Sequence, residues 1–99
     1  MSNICDNTMY VYTESEENLN TIISFFDKNF YSTDYQLYNH DNSLDIYFDS
    51  KWVFPEEKMK ELYELIPNKE DIYMRCLSVE YGTMYHALWY CDKDGWHES

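Results

Sequence analysis

Three histidines, three cysteines and nineteen carboxylates are the side chains of this 99-residue chain most able to do chemistry. Metal binding needs such groups at ligand spacing. His40, His86 and His97 with Cys5, Cys76 and Cys91 give no C-x-x-C or H-x-x-x-H pair, so no metal site is expected. Asp92-Lys93-Asp94-Gly95 begins like a calcium loop, but the later ligands and the closing glutamate are missing. A hairpin turn is expected there instead. Phosphate cradles are built on glycine, and the two glycines, Gly82 and Gly95, stand far apart. Cys91 and His86 lie five residues apart on one expected strand, so they point to opposite faces and make no nucleophile–base pair. Carboxylate pairs are unavoidable among nineteen acids and carry little information. No catalytic residue and no cofactor is expected.

What remains is charge and tyrosine. Nineteen acids stand against seven bases, for a net charge of −12. The first fifty residues hold nine acids against Lys28 alone. Such a field repels DNA, RNA and anionic membranes and attracts basic protein surfaces. Eleven tyrosines add large contact area with polar tips, a composition suited to protein recognition. With 44% apolar and 19% aromatic residues the chain is expected to fold, as one domain over residues 1–99. The odd cysteine count, the lack of a basic, apolar leader and the lack of an apolar run near the ~20 residues of a bilayer span point to a reduced, soluble protein of the cytoplasm.

Periodicity supplies the elements that would position these groups. TMYVYT (8–13) alternates as a strand, with Met9 and Val11 on one side and Tyr10 and Tyr12 on the other. Thr13-Glu14-Ser15-Glu16 matches a capping box, and Leu19, Ile22, Ile23, Phe26 and Phe30 predict a helix over 14–29. YQLYNH (35–40), with Leu37 inward, and LDIYFD (44–49) read as a hairpin through Asp41-Asn42. A second helix starts at Pro55, carries Met59, Leu62, Tyr63 and Ile66 inward, and ends at Pro67-Asn68. Residues 71–82 predict a fourth strand. Its inward side is ambiguous between Ile72, Met74 and Cys76 and the later Leu77 and Val79, which a bulge near Cys76 would reconcile. Residues 83–91 predict a fifth strand.

The order β-α-β-β-α-β with one extra strand is the ferredoxin-like βαββαβ(β) pattern. It implies an α+β fold with an antiparallel sheet and two helices on one face. Lys51-Trp52-Val53-Phe54-Pro55 joins the third strand to the second helix, and Trp52 is expected to close the core at that corner. The same stretch, FDSKWVFPEEKMKELYELIP, then VEYG, is similar to the Api-like family of small ferredoxin-like phage and plasmid proteins. That family shows a Phe-x-Ser-Lys-Trp-x-Pro-Pro motif. Phe48, Ser50, Lys51, Trp52, Pro55, Pro67, Glu80 and Gly82 fit the resemblance, and Phe54 stands at the first proline of the pair. The resemblance covers residues 44–95. It implies the fold and a mobile-element origin and carries no catalytic residue.

An aromatic sheet face on this topology also suggests RNA binding. That needs basic residues around the rings, whereas Asp41, Asp45 and Asp49 frame them, so direct nucleic-acid binding is rejected. The expected function is a non-enzymatic inhibitor of a host defence protein. By analogy with small acidic proteins of mobile elements, it would be an anti-CRISPR acting at a basic, nucleic-acid-binding surface of a CRISPR effector or other defence nuclease. The expected contact residues are Tyr10, Tyr12, Glu14, Glu16, Glu17, Tyr38, Asp45, Tyr47 and Asp49. The alternative is a self-assembling or accessory protein that hides the tyrosine face in a homodimer.

Overall fold

The computed structural model describes residues 4–30, 33–38 and 42–99. Its elements are β1 (Ile4–Tyr12), α1 (Glu16–Asn29), β2 (Thr33–Tyr38), β3 (Ser43–Lys51), α2 (Glu56–Leu65), β4 (Tyr73–Glu80), β5 (Tyr85–Asp92) and β6 (Gly95–Glu98), with a 3-10 turn at Lys69–Asp71 before β4. The fold is α+β. One six-stranded sheet has the order β2-β3-β1-β4-β5-β6, and every neighbouring pair is antiparallel.

Alternation decides which side of each strand is buried. Cys5, Asn7, Met9 and Val11 of β1 are buried, while Ile4, Asp6, Thr8 and Tyr12 between them are exposed. Leu44, Ile46 and Phe48 continue the inner face on β3, and Met74 and Cys76 on β4. Both helices cover this face. Ile22, Phe25 and Phe26 of α1 and Met59 and Leu62 of α2 join the same strand residues in one core. Phe26 is its aromatic centre, 4.8 Å from the Phe48 ring and 5.1 Å from Phe30.

Several expectations need correction. The cap of α1 is Ser15, whose hydroxyl accepts from the Asn18 N–H at 3.2 Å. Thr13 is fully buried and instead ties the chain to the 3-10 turn, donating to the Asp71 carbonyl at 2.5 Å. Asn18, also fully buried, donates to the Asn68 and Asp71 carbonyls and accepts from the Asn68 N–H. These contacts hold the start of α1 against the approach to β4. Leu37 pairs with Leu44, but β2 is an edge strand and leaves it exposed. The fifth strand starts at Tyr85, because Tyr81–Met84 form a turn. A sixth strand follows the Asp92–Gly95 turn.

Strand β4 has no change of facing. Met74, Cys76, Ser78 and Glu80 all point inward, leaving Leu77 exposed and Val79 half-buried. The buried Asn7 side chain is matched on both sides. Asn7 Oδ1 accepts from the Ser78 hydroxyl at 2.6 Å, and Asn7 Nδ2 donates to Ser50 Oγ at 2.9 Å and the Phe48 carbonyl at 3.2 Å. A buried amide with partners on both neighbouring strands satisfies its hydrogen-bonding groups without water.

The corner aromatic is Phe54, not Trp52. Phe54 is 3% exposed and stacks on Trp89 with centroids 4.6 Å apart and planes 8° from parallel. Trp52 is 49% exposed and sits at φ 70, in the left-handed region. The loop turns through Trp52 to drop Phe54 into the core, and that turn directs the indole out to solvent.

Candidate interaction surface

Among the described residues, no helix covers the opposite face of the sheet. Strand register arranges its side chains in rows. The central row crosses all six strands as Gln36, Asp45, Tyr10, Arg75, Tyr90 and His97. The guanidinium of Arg75 lies 4.8 Å from the centre of the Tyr10 ring, a cation–π contact that leaves Tyr10 half-buried. His97 stacks on Tyr90 at 5.1 Å, and its Nε2 lies 3.4 Å from an Asp92 carboxylate oxygen. One row over stand Asp34, Tyr47, Thr8, Leu77 and Leu88, and beyond it Asp49, Asp6, Val79 and His86. Ser43, Tyr12 and Tyr73 form the row on the other side. Tyr12, Tyr47, Tyr73, Leu77, Leu88 and Tyr90 are each 36–47% exposed. A contiguous band of that kind marks an interaction surface more often than a solvated one.

The carboxylates on this face are segregated from its arginine and histidines. Asp6, Asp34, Asp45 and Asp49 lie on β1, β2 and β3, while Arg75, His86 and His97 lie on β4, β5 and β6. Lys51 at the end of β3 and Asp92 at the end of β5 are the terminal exceptions. Asp6 and Asp49 are directly opposed across β1 and β3. Partial burial, then the Asp6 charge and a hydrogen bond with Asp6, push the Asp49 carboxyl above its ordinary value. With Asp34, Thr8 and Tyr47 these two line an open cleft of about 540 Å³. Among the described residues there is no group of three His, Cys, Asp or Glu side chains arranged to hold a metal ion.

Of the residues expected from sequence, Tyr10, Tyr12, Asp45, Tyr47 and Asp49 share the open face. Glu14, Glu16 and Glu17 do not. They lie beyond the end of β1, where the chain crosses to the helical side, and the Glu14 N–H donates to the Asp71 carboxylate at 3.2 Å. Tyr38 pairs with Ser43, and its side chain lies outside the described residues, as does Asp41. Sequence reasoning missed the right half of the face: Tyr73, Arg75, Leu77, Leu88, Tyr90 and the two histidines. The alternation of YMRCLSVE contains Tyr73, Arg75 and Leu77, once Ser78 and Glu80 are allowed inside.

The thiols are removed from this surface. All three cysteines are buried, and burial pushes Cys76 and Cys91 up to about 12. His86 and Cys91 do fall on opposite faces of β5. At the end of the sheet, Ile4, Trp52, Val53, Tyr81 and Met84 are all exposed. Met84, at φ 60, follows a turn gripped by the Glu80 carboxylate, which accepts from the Gly82 and Thr83 N–H groups at 2.6 and 2.8 Å. No helix among the described residues is long and apolar enough to cross a membrane.

Comparison with family models, with curated proteins and with solved structures finds no match for this chain.

Proposed function

We propose that this chain is a binding protein without chemistry of its own, which docks the acidic half of its open sheet face on a basic surface of a host protein. The observation that carries the reading is the gathering of Asp6, Asp34, Asp45 and Asp49 around exposed Tyr47 on a face free of helices. Carboxylates so placed compete for positions that a nucleic-acid cleft reserves for phosphates, and they speed encounter with it. The tyrosine supplies rigid area that slows release.

The order β2-β3-β1-β4 with both helices on one side supports a ferredoxin-like frame extended by β5 and β6. That frame and the motif around Lys51 and Trp52 agree with the Api-like resemblance and with a mobile-element origin. In that setting the partner is a defence nuclease such as a CRISPR effector, and the activity is inhibition by nucleic-acid mimicry in the bacterial cytoplasm.

The test is capture of purified CRISPR effectors and other defence nucleases on the immobilised chain, at low and then high salt. A nuclease retained at low salt and displaced by its own DNA or guide RNA is the expected result. Tyr47→Ala with Asp45→Lys should abolish retention while leaving the melting curve in place. Retention unchanged by that pair rules out the acidic half as the site.

A further inference from the structure

We propose that a second copy of this chain packs on the open face, sheet to sheet, about a two-fold axis parallel to the strands and lying between β1 and β4. The charge segregation selects this axis. A two-fold perpendicular to the strands would set β3 on β3 and oppose like carboxylates. A two-fold parallel to the strands sets β1 on β4, β3 on β5 and β2 on β6, with each row over itself. Asp49 then faces the partner's His86, Tyr10 faces the partner's Arg75, Tyr47 faces the partner's Leu88, and Tyr12 faces the partner's Tyr73. Every contact occurs twice. The acidic half of each copy meets the half that holds Arg75, His86 and His97.

Size supports a stable pair. Six strands at ~4.8 Å spacing and ~25 Å length give about 600 Å² per copy and about 1,200 Å² for the pair, within the range of specific interfaces. The exposed Leu77, Leu88, Tyr47 and Tyr73 supply an apolar centre, and aligned sheets accommodate it with a rotation near −30°. The inference does not rest on the host-partner reading. It adds that the dimer and a basic partner compete for one face.

Sedimentation equilibrium of the purified full chain near 0.15 M salt is the test. A monomer–dimer equilibrium is expected with Kd below about 0.1 mM. Leu88→Glu, at an exposed position, should weaken it by about tenfold or more with an unchanged melting curve. Arg75→Glu sets like charges near the partner's Asp45, and Asp45→Arg sets like charges near the partner's Arg75, so each variant alone should be monomeric. Mixed together, the two should form a heterodimer, because every opposed pair then has complementary sign. A wild-type monomer at about 0.5 mM, a dimer indifferent to Leu88→Glu, or a mixture that stays monomeric overturns the proposal. The monomeric Leu88→Glu chain should still capture a basic partner, so failure of either reading leaves the other measurable.

Discussion

Met9 and Tyr10 are neighbours on β1 and occupy different surroundings. Met9 is fully buried beneath the helices, while Tyr10 lies under a guanidinium at the edge of water. The same division runs through every central strand. On the helical face, packing fixes the side chains, and the buried amides Asn7 and Asn18 have assigned partners. On the open face, the same backbone carries rows of tyrosine, leucine and charge, and little there depends on folding. Substitutions on the first face should therefore act on stability, and those on the second on association.

Phe54 and Trp52 give the sharpest version, because only Val53 separates them. Phe54→Ala removes a ring stacked on Trp89 and in edge contact with Trp96, and should cost about 3–5 kcal/mol by urea unfolding. Trp52→Ala should stay within about 0.5 kcal/mol, as expected for an exposed site. Trp52→Gly should be neutral or better, since glycine adopts the left-handed conformation without strain. A Trp52 variant as damaging as the Phe54 one would mean that the corner packs the other way round.

Asn7 tests the polar end of the inner face. Asn7→Ala strands the Ser78 hydroxyl and opens a small gap, for an expected loss of about 1–3 kcal/mol. Thr8→Ala, one residue along and facing out, should change stability by less than about 0.5 kcal/mol. The contrast would fail if both changes cost the same.

These contrasts also explain what was legible in the sequence. On β1 and β3 one parity is strongly apolar, as in Met9, Val11, Leu44, Ile46 and Phe48. The facing follows from hydrophobicity alone, and with it the outward Tyr10, Tyr12, Asp45, Tyr47 and Asp49. On β4 both parities hold apolar residues. There the facing is set by the neighbouring strands, because Asn7 offers Ser78 a partner that no local pattern announces. An expected bulge took the place of a regular strand, and Arg75 and Leu77 were lost from the site. Trp52 was misplaced for a related reason. Aromatic size favours burial, but its backbone angle points the indole away, and only the tertiary position of Phe54 requires that angle. Glu14, Glu16 and Glu17 were grouped with the sheet acids by charge, although a chain leaving a strand for a packed helix must cross to the other face.

The smallest expected effect concerns the Asp6–Asp49 pair, where charge on the open face bears on stability. The Asp49 carboxyl is raised above its ordinary value of 3.8 in the folded chain. A raised acid holds its proton in the folded state after the unfolded chain has lost it. Its contribution is therefore fully present below the ordinary value and is lost as pH rises through the folded one. Glu80 works in the opposite sense. Its hydrogen bonds from Thr83 and Gly82 hold it below its ordinary value, so its contribution is present at neutral pH and fades in acid. Asp49→Asn should remove the first slope and leave the second. Because the pair is solvent-exposed and screened, the gain at neutral pH should be no more than about 0.2–1 kcal/mol. Asp6→Asn relieves only the repulsion and should give a smaller gain, and the double variant should give no more than Asp49→Asn alone, because one repulsion can be removed only once. Urea midpoints between about pH 3 and pH 7 would read all three chains. Additive gains would mean that each carboxylate is repelled by the general negative field and not by the other.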